Sequence, residues 1–363
     1  MADYITVAPE LQEVKLGDKT IYVDAASGGV VEALQDSKFP WRERKKGTLR
    51  LADVYQAGTL DKYADRARSC STWLEYLAKG DLSKRELRRF NACHLRLCPI
   101  CAARKAKIMA LRLQKVAEKT LNDHPGTQLI FLTLTIENVT GDKLREALDL
   151  LTAAWSKLTR RRSVVRAVKG WFRALEVTRN RSKDTYHPHI HAILVVEDAY
   201  FCKASGLYIT HDRWVDMWQQ SLQVDYKPVD YKPLVSVERT KARDGKGKAM
   251  AAAVEASKYA TKSKEYIDKR LPMAEAARVA AVYTQALSRK RMTALGGWML
   301  EAAQELDVDV EADTDLVHDG DGGGELTDSN AELLEEYTWH FGVADHLLSA
   351  RRDNPDFNGG ADE

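Results

Sequence analysis

The sequence predicts an α+β fold in which an antiparallel sheet is flanked by helices. Apolar, β-branched runs that are typical of strands, such as residues 128–136 (QLIFLTLTI) and 189–196 (HIHAILVV), are interleaved with segments of helical periodicity. The strand-like segments 171–178 and 189–196 are separated by a short polar loop at 180–186, which is typical of a hairpin. A hairpin between neighbouring strands indicates antiparallel pairing.

Four regions follow one another along the chain. Residues 1–50 form a weakly patterned N-terminal extension that ends in a basic cluster (RERKKGTLR), and residues 51–120 are mostly helical in pattern. Residues 121–300 carry the main domain, and residues 301–363 form an acidic, low-complexity tail. We expect this tail to be disordered apart from a short terminal helix at 331–348.

The elements of the main domain follow from periodicity and from turn signals such as the sequence NDHPG at 122–126. A basic amphipathic helix precedes this turn, and the interleaved pattern begins after it. In chain order, we expect strands at 128–136, 171–178, 189–196 and 231–239, and helices at 102–120, 141–158, 212–222, 250–262 and 273–287.

The low net charge conceals two oppositely charged parts of the chain. The whole sequence carries a formal net charge of +2. Residues 1–300 contain 53 basic and 34 acidic side chains, whereas residues 301–363 contain 2 and 19. A basic body suggests a polyanionic partner. The acidic tail is either a solvated solubility segment or a competitor of nucleic acid for the basic surface.

Membrane and secretory segments are not expected in this sequence. It contains no run of about 18 apolar residues. Its N-terminus (MADY) lacks the basic-then-apolar order of a signal peptide. We therefore expect a protein of the cytoplasm without membrane contact.

Four of the five cysteines form a cluster in the sequence. Cys93, Cys98 and Cys101 are close together, and Cys70 precedes them by 22 intervening residues. The C-P-x-C sequence that ends the cluster is a common way of placing two thiolates on one tetrahedral ion. We predict a structural Zn²⁺ site formed by the four thiolates. The alternatives are a ligand set with His94 in place of Cys70, and reduced cysteines without metal.

The sequence YHPHIH at 186–191 places two histidines on one face of a strand. Because side chains alternate along a strand, His189 and His191 point the same way and lie about 6–7 Å apart. Neutral ring nitrogens at this spacing can bind one cation, although surface histidines on an edge strand are the alternative interpretation. A hard cation prefers oxygen as a further ligand. Glu176, on the paired strand, is well placed to supply it.

A second group of polar residues lies on the predicted helix 250–262. Glu255, Tyr259 and Lys262 share one helical face, which taken alone is typical of a solvated surface. A phenol with an ordinary pKa near ~10 is a poor nucleophile at neutral pH. A cation held by the histidines would polarise a phosphate, and the lysine would favour the phenolate or neutralise the transition state. The two groups together therefore indicate phosphodiester chemistry.

These residues resemble the plasmid rolling-circle replication initiators, within the HUH endonuclease superfamily. The resemblance spans about residues 60–300, without the first 50 residues or the acidic tail. Two further segments resemble the same family: the cysteine cluster followed by RKA, and RMTALGG at 291–297. The motifs that carry the resemblance occur in the order FLTLT (131–135), ALEVT (174–178), HPHIH (187–191) and KYATK (258–262).

The resemblance implies a sheet of about five antiparallel strands with the histidines on a central strand. It also implies binding to a plasmid origin, as single-stranded or hairpin DNA, and nicking of one strand. Tyr259 would keep the 5′ phosphate and release a 3′ hydroxyl primer, while His189 and His191 would bind Mg²⁺ or Mn²⁺. Glu255 occupies the position of a glutamate that activates water to end the cycle.

Two residues near these motifs have less defined roles. Tyr266, seven residues after Tyr259, falls near the same helical stripe and is a candidate second nucleophile, as in relatives with two tyrosines. His187 belongs to the family pattern, and its interpretation as a residue that orients another group rather than a metal ligand stays open.

Two other functions are compatible with parts of the sequence. A conjugative relaxase or single-tyrosine transposase uses the same chemistry, but in a relaxase the tyrosine usually precedes a three-histidine motif, and here it follows the histidines. A non-catalytic DNA-binding protein would leave the histidine, glutamate and tyrosine group unexplained. Since the chain has no P-loop motif, we expect a separate host helicase and a host polymerase as partners. The oligomeric state stays open.

Overall fold

The chain contains α-helices and antiparallel sheets, which confirms the predicted α+β class. The computed structural model describes residues 11–17, 19–25, 27–36, 39–223, 234–239, 264–309, 316–317 and 326–358. These residues belong to two compact units, Met1–Cys101 with Asp321–Glu363, and Ala102–Gly320. No helix in the described ranges combines the length and apolar character needed to cross a bilayer.

The described elements are numbered here in chain order. The first part of the chain contains β1 (Leu11–Leu16), β2 (Lys19–Asp24), β3 (Val30–Glu32), α1 (Trp41–Ala57), α2 (Asp61–Ser69), β4 (Trp73–Ala78), β5 (Arg85–Phe90) and α3 (Pro99–Asp123). The middle part contains β6 (Thr127–Thr135), α4 (Leu144–Thr159), α5 (Arg162–Ala167), β7 (Gly170–Asn180), β8 (Thr185–Glu197), α6 (His211–Gln223) and β9 (Leu234–Arg239). The last part contains α7 (Lys264–Ile267), α8 (Met273–Leu287), β10 (Thr293–Gly297), α9 (Trp298–Glu305), β11 (Leu333–His340) and β12 (Asp345–Asp353).

The second unit is built around a five-stranded antiparallel sheet with the strand order β10-β7-β8-β6-β9. One face of β8 presents Ile193 and Val195, which pack with residues of α3 and α9 such as Leu113 and Met299. The opposite face of β8 presents Ile190 and alternate apolar residues, and α4 contacts this strand. Burial on both faces explains why β8 is a nearly continuous apolar run.

Most of the elements expected for residues 121–300 are present with boundaries shifted by a few residues. The helix expected at 273–287 matches α8, and the strand expected at 128–136 corresponds to β6. The helix expected at 250–262 lies outside the described residues.

The prediction for residues 1–120 is wrong in two places. Residues 1–50 are more than an extension, because β1, β2 and β3 pair as a sheet and α1 begins at Trp41. Residues 51–120 include the β4–β5 hairpin as well as helices. The sequence of β5 (RELRRF) is rich in residues with high helix propensity, so only its pairing with β4 makes it a strand.

The prediction of a disordered tail with a terminal helix is also wrong for residues 326–358. The segment expected as a helix forms the β11–β12 hairpin, and β11 pairs with β4 to give the sheet order β12-β11-β4-β5. Glu335 of β11 is fully buried and accepts hydrogen bonds from Arg85, Arg351 and the Tyr337 hydroxyl. Acidic residues that suggested a solvated tail therefore neutralise arginines inside the first unit. The domain boundary expected at residue 301 is likewise replaced, since the hairpin belongs to the first unit.

Loss of the Glu335 carboxylate is expected to destabilise the first unit strongly. Glu335→Ala leaves two guanidinium groups without their buried partner, which costs about 3–5 kcal/mol. The neighbouring Glu336 pairs with the half-exposed Arg352 and accepts a hydrogen bond from the Trp73 indole. It is the matched control, and Glu336→Ala should cost only about 1–2 kcal/mol. Urea unfolding of the two variants measures the difference. Equal free energies of unfolding would contradict the role given to Glu335.

Acid is expected to weaken the first unit through His346. Burial lowers the pKa of His346 from 6.5 to about 4, despite a hydrogen bond to the Ser71 carbonyl. The unfolded chain then binds a proton at a higher pH than the folded chain, so this stability is present above pH 6.5 and is lost as the pH falls toward 4. His346→Gln should flatten the pH dependence of the unfolding free energy by about 1.4 kcal/mol per pH unit in that window. Parallel curves for the two proteins would contradict this assignment.

Candidate metal centres

Three potential metal ligands meet at the middle of the five-stranded sheet. His189 and His191 lie on the central strand β8, and Glu176 lies on the neighbouring β7 directly opposite His189. Glu176 and His189 are buried, with 6% and 8% of their surface exposed, while His191 is partly exposed. Antiparallel register therefore brings together on one face the three residues that the sequence predicted as ligands.

The spacing of the three ligand atoms fits one divalent cation. The Oε2 atom of Glu176 lies 2.9 Å from Nε2 of His189 and 3.1 Å from Nε2 of His191. Two ligands at adjacent octahedral positions, each about 2.1 Å from the ion, are about 3 Å apart. Two imidazoles and one carboxylate also leave coordination positions open for substrate oxygens. Mixed nitrogen and oxygen donors suit Mn²⁺ better than Mg²⁺, which prefers oxygen alone.

Hydrogen bonds on the far side of each imidazole set which nitrogen faces the centre. Nδ1 of His189 lies 3.1 Å from the carbonyl oxygen of His187, and Nδ1 of His191 lies 3.2 Å from the Thr133 hydroxyl. An Nδ1–H that donates to these oxygens leaves the lone pair of Nε2 directed at Glu176. The cluster then holds a carboxylate oxygen and two lone pairs, and it needs a cation or added protons to be stable.

His187 lies on the same face but is engaged elsewhere. Its Nε2 is 2.6 Å from the Thr135 hydroxyl, and burial lowers the pKa of its imidazole. The group of potential ligands contains Glu176, His189 and His191, without His187. Its carbonyl oxygen accepts the hydrogen bond from His189, so His187 contributes through its main chain.

Two threonines of β6 were not assigned a role from the sequence. Thr133 and Thr135 are opposite His191 and His189 across the β6–β8 pairing. The two threonines alternate within FLTLT and are in register with the histidines, so this alternation could have predicted that they contact the histidine face. The carbonyl of Thr135 also accepts a hydrogen bond from the Trp218 indole, which ties β6 to α6 at this point.

The electrostatics of the centre favour a charged carboxylate. Burial alone would raise the pKa of Glu176, but protons on Nε2 of His189 and His191, which take the place of a cation, would donate hydrogen bonds that lower it to about 2. The carboxylate is therefore ionised at neutral pH, as a metal ligand must be.

The four clustered cysteines form a second candidate centre, in the first unit. Cys70, Cys93, Cys98 and Cys101 are buried and face one another. The Sγ–Sγ distances are 3.7 Å for Cys70–Cys101 and Cys93–Cys101, and 3.6 Å for Cys70–Cys98. Four sulfurs at about 2.3 Å from one Zn²⁺ would be about 3.8 Å apart, whereas a disulfide needs about 2.05 Å. The alternative ligand His94 is exposed and lies outside this group.

Three thiols of the cysteine cluster differ in how readily they ionise. Cys98 directly precedes α3, and Cys101 lies in its first turn, where the helix dipole stabilises negative charge. Burial opposes ionisation of the Cys98 thiol, but hydrogen bonds from Cys101 and Cys70 bring its pKa well below the ordinary value. Hydrogen bonds within the cluster and burial raise the pKa of Cys70. A hydrogen bond with Cys70 lowers the pKa of Cys101, but hydrogen bonds with Cys93 and Cys98 and burial outweigh it and raise that pKa.

Of the tyrosines that the sequence singled out, Tyr266 is described and Tyr259 is not. Glu255, Tyr259 and Lys262 lie outside the described residues. Tyr266 is described, and it is 1% exposed with its ring 6.1 Å from the ring of Tyr283.

The chain that follows Tyr259 is attached to the strand that carries Glu176. Glu265 accepts a hydrogen bond from the backbone N–H of Arg179 at 3.1 Å and another from the Tyr283 hydroxyl. The Arg179 side chain is itself 3% exposed and pairs with Asp184 and Glu275. The role of Glu265 was not predicted from the sequence, because a helical glutamate that binds a neighbouring strand has the same sequence pattern as one at the surface.

Comparison with known proteins identifies a set of relatives with broad coverage. A family model described as "Replication protein" matches residues 84–344. A "Protein rep" of Streptococcus pneumoniae serotype 2 (strain D39 / NCTC 7466) is 32% identical over 291 residues, covering 79% of this chain and 86% of the relative. A "Protein rep" of Lactiplantibacillus plantarum is 32% identical over 315 residues, covering 85% and 95%. No solved structure matches this chain.

Removal of the Thr133 hydroxyl is expected to weaken metal binding at the sheet. Thr133→Val deprives Nδ1 of His191 of its partner, and loss of such a supporting hydrogen bond typically lowers metal affinity about 10- to 100-fold. Thr127→Val is the matched control, because the Thr127 hydroxyl bonds the His124 carbonyl at the other end of β6. Mn²⁺ titration followed by electron paramagnetic resonance measures both affinities. Unchanged affinity in Thr133→Val would show that this hydroxyl does not support the centre.

Proposed function

This chain belongs to the replication protein family, and we propose that it initiates rolling-circle replication of a plasmid by nicking one strand of origin DNA. The observation that carries the proposal is the group formed by Glu176, His189 and His191, whose spacing fits a divalent cation with open coordination positions. A carboxylate and two imidazoles on a sheet face are suited to phosphodiester chemistry, and membership of a replication protein family supports DNA as the substrate.

The metal-binding residues would prepare the scissile phosphate for attack. Glu176, His189 and His191 would hold Mg²⁺ or Mn²⁺, which supplies a Lewis acid that polarises the phosphate. The fixed register of β7 and β8 holds the three side chains in place before DNA binds, so little reorganisation accompanies the reaction.

Tyr259 is the proposed nucleophile. Its phenolate oxygen attacks the scissile phosphorus, the bond from phosphorus to the 3′ oxygen breaks, and that oxygen takes a proton to become the 3′ hydroxyl primer. The 5′ phosphate remains bonded to the tyrosine. Lys262 would favour the phenolate or neutralise charge on the transition state. Tyr266 is the weaker candidate, because its side chain is buried against Tyr283.

The contacts of Glu265 support an approach of Tyr259 to the metal centre. Arg179, whose N–H binds Glu265, lies three residues after Glu176 on β7, a distance of about 10 Å along the strand. Tyr259 precedes Glu265 by six residues, which can span at most about 20 Å. The anchored end of this segment is therefore close enough to β7 for Tyr259 to reach a phosphate at the centre.

Glu255 is the proposed general base that ends the cycle. A carboxylate one helical turn from Tyr259 can reach a water that attacks the same phosphate. Hydrolysis of the phosphotyrosine bond would then release the protein from DNA.

The first unit would contribute a structural metal site, and the second unit would bind DNA. Cys70, Cys93, Cys98 and Cys101 would hold a structural Zn²⁺, as their tetrahedral spacing suggests. The basic excess of residues 1–300 lies mainly in residues 102–300, which contain 36 basic and 20 acidic side chains, and it suits binding of the origin, whether single-stranded or folded as a hairpin. A host helicase and a host polymerase would act on the nicked product.

A covalent trapping experiment tests this function. The full chain is incubated with supercoiled plasmid that carries its own origin and with Mn²⁺, then denatured, and DNA-linked peptides are identified by mass. We expect a 5′-phosphotyrosine at Tyr259, absent after chelation and absent in Tyr259→Phe. Glu255→Gln should still form the adduct but should retain it longer, since hydrolysis is slowed.

One further variant tests which tyrosine is the nucleophile. Tyr266→Phe keeps the buried ring and should form the adduct as the wild type does. An adduct on Tyr266 would show that Tyr266, and not Tyr259, is the nucleophile. If the protein binds the origin but no adduct forms with metal present, a non-catalytic DNA-binding function would replace the proposal.

A further inference from the structure

The side chain of Lys45 is an unusual buried cation next to the cysteine cluster. Lys45 lies on α1 and is 0% exposed. Its ammonium donates hydrogen bonds to the main-chain carbonyls of Arg68, at 2.7 Å, and of Cys70. It also lies 5.9 Å from the ring centre of Trp339, within range of a cation–π contact. Lysine is almost never fully buried unless an anion pairs with it.

The expected partner of such a lysine is absent among the described residues of the first unit. No carboxylate forms an ion pair with Lys45 among these residues, and one of the two carbonyls that it binds belongs to Cys70, a member of the cysteine cluster. Elsewhere in this unit a buried charge has a partner of opposite sign, as Glu335 has Arg85. An ammonium held only by carbonyls and a ring would be costly to bury.

We propose that Lys45 is the counter-charge of a tetrathiolate metal centre formed by the four cysteines. This inference rests on the zinc site proposed above and adds a residue that balances it. Four thiolates around one divalent ion carry a net charge of −2, and a single ammonium reduces the charge of the buried assembly to −1. Four neutral thiols, by contrast, would leave Lys45 without any anion.

The described surroundings of the cluster supply further positive potential. The guanidinium of Arg66 donates to the Cys93 carbonyl at 2.6 Å, and the Thr48 hydroxyl lies 3.5 Å from the sulfur of Cys98. Thr48 is on α1, one turn after Lys45. Helix α1, for which the sequence analysis predicted no role, therefore forms one wall of the centre and carries its balancing charge.

Metal binding by the full chain tests the proposal without reference to DNA nicking. Zn²⁺ affinity is measured by competition with a chromophoric chelator, and Co²⁺ reports tetrahedral thiolate coordination through its visible spectrum. Lys45→Met removes the charge at similar volume and should lower Zn²⁺ affinity about 10- to 100-fold, the usual effect of losing a supporting residue. Lys45→Arg keeps the charge and should stay within about threefold of the wild type, well short of that loss.

Lys46→Met is the matched control on the same helix. Lys46 is partly exposed and pairs with Glu43 at 3.0 Å, so its loss should leave Zn²⁺ affinity unchanged. Wild-type Zn²⁺ affinity in Lys45→Met would overturn the proposal. Equal loss of Zn²⁺ binding, or of folding, in Lys45→Met and Lys45→Arg would also overturn it, because packing rather than charge would then be responsible. Failure of Lys45→Met alone to fold would support it. If the wild-type protein binds neither Zn²⁺ nor Co²⁺ at the cysteines, the zinc site itself fails.

Discussion

The contact between the Glu176 carboxylate and two imidazoles across neighbouring strands is the constraint on which the second unit depends. Pairing of β7 with β8 sets His189 opposite Glu176, and a shift of one residue would send the histidines to the other face. The same register places Ile193 in the core beneath α3 and α9. Hydrophobic burial at one end of β8 therefore fixes the ligand geometry at the other end.

Buried charge has a compensating partner in both units, and this principle links the structure to its proposed chemistry. Glu335 is neutralised by two arginines in the first unit. The Glu176 and Lys45 sites differ, because protein groups alone leave each of them incomplete. A bound divalent cation would complete the Glu176 site, and an anionic metal–thiolate cluster would complete the Lys45 site. At both sites, the cost of an isolated charge in a protein interior is the reason for proposing a metal ion.

The sequence was informative where one pattern decided the structure. The continuous apolar run of β8 and the turn signals around it predicted the strand, and the alternation of side chains along a strand predicted the shared face of His189 and His191. The prediction for β11 (LLEEYTWH) was wrong, because its leucines and glutamates favour a helix whereas pairing with β4 makes it a strand. The roles of Glu265 and Lys45 could not be predicted either, because their contacts join residues that are far apart in the chain.

Anomalous X-ray scattering from crystals grown with Mn²⁺ tests the central claim most directly. The account predicts an anomalous peak about 2.1–2.3 Å from Oε2 of Glu176 and from Nε2 of both His189 and His191. Crystals of Glu176→Ala prepared in the same way should lose that peak while keeping the fold of the sheet. A wild-type map with no peak between these three side chains, at Mn²⁺ concentrations that support DNA nicking, would contradict it.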